Sequence, residues 1–156
     1  MIHSAGLLLY RLDRDEVEVL IAHMGGPYWS RKEAGAWSIP KGEYDPDGES
    51  AQEAAVREFR EELGIDPPAE PYAELGTFPS SSGKRVTVFV ADGAGLALED
   101  VVFGEFAMEW PPRSGRTQAF PEVDRVEWVP LEAARERLVK GQRPALDALR
   151  TAIDAL

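Results

Sequence analysis

Short apolar runs alternate with charged or glycine- and proline-rich breaks along the chain, and each run has its own period. Residues 5–12 and 17–24 are apolar and are parted by Asp13-Arg14-Asp15, which predicts two strands joined by a tight turn. Gly25-Gly26-Pro27 ends the second strand, and the short segment 36–39 stops at Pro40. Asp45-Pro46-Asp47-Gly48 is a turn. Over 49–63 the period becomes helical, with Ala51, Ala55, Val56, Phe59 and Leu63 in one stripe. Ser50 and Glu53 have the spacing of a capping box, and Gly64 suits the C-terminal end. Pro67, Pro68 and Pro71 enforce a loop. Strands are predicted at 73–78, at 85–91 (Val86, Val88 and Val90 alternating), at 103–110 and at 125–129, with 111–121 as a loop. Helices are predicted at 131–139 and 145–156, the second with Leu146, Leu149 and Ile153 at helical spacing. Strands, a helix, more strands and terminal helices in this order predict an α/β (α+β) sandwich. Helices pack on a mixed β-sheet, in a single domain over 1–156.

Charge sharpens this picture. Asp and Glu number 28 against 17 Lys and Arg, a net charge of −11, so the basic footprint of a nucleic-acid-polymer binder is missing. There is no cysteine, which excludes disulfides, thiolate nucleophiles, zinc fingers and iron–sulfur clusters. His3 and His23 alone make a histidine-rich metal site untenable. No segment approaches the roughly 20 apolar residues of a membrane span, and residues 1–9 carry no basic leader. The expectation is a cytoplasmic protein with no membrane partner. Eight acidic residues (Glu43, Asp45, Asp47, Glu49, Glu53, Glu58, Glu61, Glu62) stand against Arg57 and Arg60 over 43–62. On a helix of 3.6 residues per turn, Glu58, Glu61 and Glu62 share one face. Like charges at these spacings repel, and the helix dipole disfavours anions at a C-terminal end. A bound cation resolves both conflicts. An all-oxygen donor set favours Mg²⁺ or Mn²⁺, which keep coordination positions for waters and substrate phosphates.

Residues 42–65 read GEYDPDGESAQEAAVREFREELGI and closely resemble the Nudix box, Gly-x5-Glu-x7-Arg-Glu-U-x-Glu-Glu-x-Gly-U with U a bulky apolar residue. From Glu49 the fit is complete: seven residues, Arg57-Glu58, Phe59, Arg60, Glu61-Glu62, Leu63, Gly64 and Ile65. Six residues rather than five separate Gly42 from Glu49, the extra one falling in the turn before the helix. Trp37-Ser38-Ile39-Pro40 before the box and Trp128-Val129-Pro130-Leu131 near the end are similar to flanks of many family members.

The resemblance implies a Mg²⁺-dependent hydrolase, with Mn²⁺ as a substitute, that cleaves a nucleoside diphosphate linked to another group X. Glu58, Glu61 and Glu62 become metal ligands, one of the carboxylates serving as general base. The backbone carbonyl of Lys41 and the loop residue Glu122 are further ligand candidates. Arg57 is expected to pair with Glu49 or Glu61 and hold the carboxylates in register. Lys41 and Gly42, together with Arg113, Arg116 and Trp29, are candidates for substrate contacts. Ile39-Pro40-Lys41-Gly42 resembles the entry to the box in hydrolases of dinucleoside polyphosphates and inositol pyrophosphates. A dinucleoside polyphosphate or a nucleoside triphosphate is therefore the expected substrate, with ADP-ribose or a nucleotide sugar as alternatives. A nucleotide-sensing module without turnover belongs to another class; it predicts loss of a box carboxylate, and none is lost. Isomerase chemistry on isoprenoid diphosphates draws on a cysteine that this chain lacks. Many members dimerise, so a homodimer is carried as an expectation.

Overall fold

The computed structural model describes residues 1–80 and 83–155. The elements run β1 (Ile2–Asp13), β2 (Glu16–Met24), β3 (Trp37–Ser38), β4 (Lys41–Tyr44), α1 (Ala51–Leu63), β5 (Ala73–Pro79), β6 (Lys84–Asp92), β7 (Glu105–Glu109), β8 (Thr117–Pro121), β9 (Val123–Pro130), α2 (Leu131–Arg137) and α3 (Arg143–Asp154), with a 3-10 turn at Lys140–Gln142. A mixed seven-stranded sheet has the backbone order β3-β2-β1-β6-β5, with β4 also pairing β1 and β9 pairing β2. The β1–β6 pair is parallel, whereas β1 meets β2 and β4 antiparallel. The strands β7 and β8 form a separate two-stranded sheet.

Residue alternation decides which layer covers which face, because successive side chains of a strand point to opposite sides. Leu8, Val17, Val19, Ile21, Val86, Val88 and Val90 pack with Leu131, Ala134, Leu138, Leu146 and Leu149, placing α2 and α3 on one face. Ala5, Leu7, Leu9, Leu20, Ala22, Phe89 and Ala91 pack with Ala54, Ala55, Phe59 and Leu63, placing α1 on the other. The result is the expected sandwich of helices around a mixed sheet.

Several boundaries differ from the sequence reading, each for a long-range reason. Within the expected loop 111–121, Thr117–Pro121 is the strand β8; it pairs with β7 through Phe106↔Phe120 and Met108↔Gln118, so the partner makes it a strand. The strand β4 was not expected; it forms because Gly42 and Lys41 lie against Ala5 and Gly6 of β1. The strand expected at 103–110 starts at Glu105. The helix expected at 131–139 stops at Arg137, because Leu138 turns extended and bridges to Trp37. The last helix starts at Arg143, earlier than expected, and Leu156 lies outside the described residues.

Gln142 ties the C-terminal layer to the segment leading into β4. It is 2% exposed; its Oε1 accepts the Ile39 N–H at 2.8 Å and its Nε2 donates to the Ser38 hydroxyl at 3.0 Å. Replacing it with leucine strands a buried N–H, which costs about 1–3 kcal/mol. Gln142→Leu is expected to lower the denaturant midpoint accordingly, and an unchanged midpoint contradicts this account of the junction.

Candidate functional site

Local chemistry starts and stops α1 where the site needs it. The Ser50 hydroxyl accepts the Glu53 N–H while the Glu53 carboxylate accepts the Ser50 N–H, a complete capping box. Gly64 closes the helix in the left-handed region at φ 67°. Burial of Ala54, Ala55, Phe59 and Leu63 then sets the rotation of the helix. Glu58 and Glu62 fall at the edge of this buried stripe, whereas Glu61 turns outward. The Glu58 side chain is 13% exposed and that of Glu61 is 54% exposed.

Burial gives the carboxylates different electrostatics. The Glu62 carboxyl is pushed up to about 8, first by burial, then by the charges of Glu122 and Glu58; the Lys41 ammonium and main chain oppose the rise. Burial also raises Glu58, against the pull of the Arg57 guanidinium. Glu122 rises through burial and through Glu61. The structure therefore brings Glu58, Glu61, Glu62, Glu122 and Lys41 into one electrostatic group.

Arg57 organises the outer side of this group. Its Nη2 donates to Glu49 Oε1 at 2.6 Å, and its Nη1 reaches Glu58 Oε1 at 2.9 Å and Glu61 Oε1 at 3.2 Å. Nη2 also donates to the Glu43 carbonyl at 3.4 Å. One guanidinium thus joins the turn before the helix to two carboxylates of its C-terminal half. These contacts hold its pKa far above the ordinary arginine value. Arg57 thus ties Glu49, Glu58 and Glu61 together.

Gly42 forms the opposite wall. A Cβ built there would lie 2.0 Å from the Glu58 carboxylate carbon, so only glycine leaves room for that carboxylate. Gly42→Ala is expected to displace the Glu58 head while β4 stays paired with β1. Activity should fall at least about tenfold, with the melting temperature within a few degrees of the parent, as a clash at a flexible side-chain end costs little stability. Full activity in this variant contradicts a role for the Glu58 carboxylate at its observed place.

Glu122 reaches the group from far along the chain. Its N–H donates to the Gly104 carbonyl at 2.7 Å, and its carbonyl accepts the Gly25 N–H at 2.9 Å. Gly104 in turn donates to the Glu62 carbonyl at 3.2 Å, and Val102 donates to the Leu63 carbonyl at 2.9 Å. The segment 102–104 therefore satisfies carbonyls at the end of α1 that a helix leaves unpaired, and it docks Glu122 beside them. A Cβ on Gly104 would stand 2.5 Å from the Glu61 carbonyl oxygen, and one on Gly25 would stand 2.0 Å from the Pro121 carbonyl oxygen. The sequence reading missed both glycines as parts of the site; Gly25 stood out only as part of the Gly25-Gly26-Pro27 strand break and Gly104 only as a glycine beside a strand run.

The remaining candidates lie elsewhere. Arg113 and Arg116 sit at the exposed turn between β7 and β8, which rises about 13 Å from Pro121 to Thr117 at 3.3 Å per residue. Trp29 is partly buried against the α2–α3 side of the core, with the Lys32 ammonium 5.4 Å from its ring. A cavity of about 890 Å³ lies on a different face of α1 and is lined by Val56, Arg60, Pro68 and Tyr72. Glu53, Glu70 and Glu74 make its rim acidic, and Arg60 is paired with Asp66, so it does not suit a phosphate ligand.

The donor set fits a hard divalent cation. It is all oxygen, and Glu62 is a half-buried carboxylate facing two like charges with Lys41 as its counter-charge. Among the described residues no three carboxylates already converge to ligating distance. Arg57 engages Glu58 through Oε1 alone, which leaves Oε2 to face an ion, and Glu61 through both oxygens.

The NUDIX domain family model matches residues 3–149. The chain belongs to the NUDIX family. NUDIX proteins generally depend on a divalent metal. An 8-oxo-(d)GTP phosphatase of Mycolicibacterium smegmatis is 30% identical over 148 residues, covering 88% of this chain and 37% of that protein. A second curated relative, from Bacillus subtilis, is 39% identical over 72 residues. The matched segments span 37% and 46% of these two relatives' own lengths. Among solved structures, a binary complex of the C. elegans Ap4A hydrolase superposes with a TM-score of 0.70 at 23% identity, covering 100% of both chains. The NUDIX domain of Shewanella oneidensis NrtR, complexed with ADP ribose, superposes with a TM-score of 0.62 at 15% identity, covering 98% of this chain and 88% of that one. These two likenesses establish the NUDIX fold. No helix among the described residues is long and apolar enough to cross a membrane.

Proposed function

We propose that this NUDIX chain hydrolyses a phosphoric anhydride bond in a nucleoside diphosphate linked to another group X, with Mg²⁺ or Mn²⁺ as its metal. The observation that carries the reading is Glu62, a carboxylate held half-buried against Glu58 and Glu122. Such an arrangement is unfavourable for a protein alone and suits a cation-binding site. Glu58, Glu61, Glu62 and Glu122 would hold the metal, with the Lys41 carbonyl as a further oxygen. A divalent ion held by these residues would supply charge neutralisation at the phosphate oxygens and acidify the attacking water. One carboxylate of the set accepts the proton of the attacking water. Arg57 keeps Glu58 and Glu61 in register, and the Lys41 ammonium faces the substrate phosphates. The products are two phosphate-containing fragments.

A dinucleoside polyphosphate or a nucleoside triphosphate is the proposed substrate class. The naming of one relative as an 8-oxo-(d)GTP phosphatase and of one fold neighbour as an Ap4A hydrolase supports this choice. The test is release of phosphate-containing products with Mg²⁺ from a panel of dinucleoside polyphosphates, nucleoside triphosphates, ADP-ribose and nucleotide sugars. Turnover of the first two classes, lost in Glu62→Gln, supports the reading. Preference for ADP-ribose or a nucleotide sugar overturns the substrate class. Tight binding without turnover of any member moves the assignment to a sensing module.

A further inference from the structure

Among the described residues the hairpin β7–β8 pairs with no other strand, and the carboxylate site uses only its foot, where Pro121 leads directly into Glu122. Its two faces differ. Phe106, Met108, Trp110 and Phe120 are half-buried, whereas Glu105, Ala107, Glu109 and Ala119 are exposed. At the foot, the Phe106 ring packs over Gly26, where a Cβ would lie 3.1 Å from it. Further out, the cover ends in Tyr28 and Trp110, which meet edge to face with ring centroids 5.3 Å apart at 83°. Tyr28 is 57% exposed and is the one aromatic among the large exposed apolar residues described. Arg116 stands opposite Trp110, whose backbone N–H donates to the Arg116 carbonyl at 2.9 Å. Neither Arg113 nor Arg116 makes a side-chain ion pair among the described residues, although 28 acidic residues are available in the chain.

The loop that carries Tyr28 is held from beneath. His23 is fully buried; its Nε2 donates to the Lys32 carbonyl at 2.6 Å and its Nδ1 pairs with Asp124 at 2.7 Å. Gly25 N–H bonds the Glu122 carbonyl. Loop, hairpin and Glu122 therefore form one connected rim. Trp110 directly follows β7, at the end of the hairpin away from Glu122. A base joined through several phosphates to the cleaved bond has the reach to touch both this end of the rim and its foot.

We propose that Tyr28 and Trp110 form a stacking platform for the nucleobase farther from the cleaved bond in a dinucleoside polyphosphate, with the Arg116 guanidinium beside it. This rests on the hydrolase reading above and narrows its substrate class. Aromatic faces and guanidinium planes both stack on bases, and the hairpin pairs the backbones of Trp110 and Arg116 in a strongly acidic chain.

The test is steady-state hydrolysis of diadenosine tetraphosphate with Mg²⁺ by the wild type, Trp110→Ala, Tyr28→Ala and Trp110→Phe, with inorganic tripolyphosphate as a probe that has no base. Base–aromatic stacking contributes about 1–3 kcal/mol, so each alanine variant should raise KM for the dinucleotide by roughly 5- to 150-fold. The value of kcat should stay within about twofold, Trp110→Phe should restore most of the affinity, and handling of tripolyphosphate should not change. An unchanged KM in both alanine variants overturns the platform, as does an equal loss on tripolyphosphate. If the wild type does not turn over the dinucleotide, the hydrolase reading fails for this substrate, and calorimetric binding of the same compound decides the platform. Weaker binding in the alanine variants supports it; equal binding, or none by the wild type, overturns it.

Discussion

Glu62→Gln is expected to lower turnover by at least about two orders of magnitude while making the metal-free protein more stable at alkaline pH. On the proposed metal site, the catalytic loss would follow from removing one charged oxygen ligand of an ion that contributes several kcal/mol of transition-state stabilisation, each 1.36 kcal/mol being tenfold in rate. The gain in stability follows from burial. The Glu62 carboxyl sits at about 8 because its ionised form is desolvated against Glu58 and Glu122, so above that pH the fold must carry an unfavourable buried charge. Glutamine has the same shape and no charge. A surface glutamate has neither property, and Glu132, exposed on α2, serves as the control. Steady-state kinetics and thermal unfolding at pH 8.5 check both halves. Near-normal turnover in Glu62→Gln removes this carboxylate from the site, and a lower metal-free melting temperature contradicts its electrostatic setting.

The second large effect is stabilisation by Mg²⁺ that grows with pH. In the metal-free protein Glu62 keeps its proton up to about 8, whereas in the unfolded chain it loses it near 4.5. The folded state therefore binds more protons across this window, and stability from this group falls as pH rises from 4.5 to 8. Glu58 and Glu122, also raised, act in the same direction. Glu33, Glu53 and Asp147 are lowered by their partners, and the stability they confer is lost only at acid pH, below this window. A metal that takes Glu62 as a ligand has to displace its proton, so it is expected to bind more weakly at pH 6 than at pH 8.5. At a hundred times its dissociation constant a ligand adds about 2.7 kcal/mol, which is roughly 5–10 °C for a domain of this size. Melting curves with and without Mg²⁺ at pH 6 and 8.5 test this. A shift that is absent at both values, or larger at pH 6, contradicts metal binding at Glu62.

Much of α1 was legible because its determinants are local. The capping box of Ser50 and Glu53, the stripe ending at Leu63 and the closing Gly64 all act within one or two turns, and the structure has each of them. The same spacing put Glu58, Glu61 and Glu62 on one face, and the expected pairing of Arg57 with Glu49 or Glu61 occurs with both. The alternation of Val86, Val88 and Val90 likewise marked one face of β6. Residues whose partners lie far along the chain were not legible. Gln142 bonds Ile39 across 103 positions, and nothing near Gln142 hints at that contact. Thr117–Pro121 has weak strand character alone and pairs because β7 offers Phe106 and Met108 opposite it. Tyr28 and Trp29 are neighbours of similar chemistry, yet one faces solvent and the other packs on the core.

By itself the sequence determined a helix with three carboxylates along one side, because 3.6-residue periodicity and capping depend on near neighbours. Only the tertiary structure decided that these carboxylates differ. Glu62 is desolvated and Glu61 is not, because the rotation of α1 on the sheet and the docking of the segment through Gly104 set the water each side chain keeps. That docking also brings Glu122 beside Glu62, and both effects depend on packing between residues distant in the chain, which no local pattern encodes.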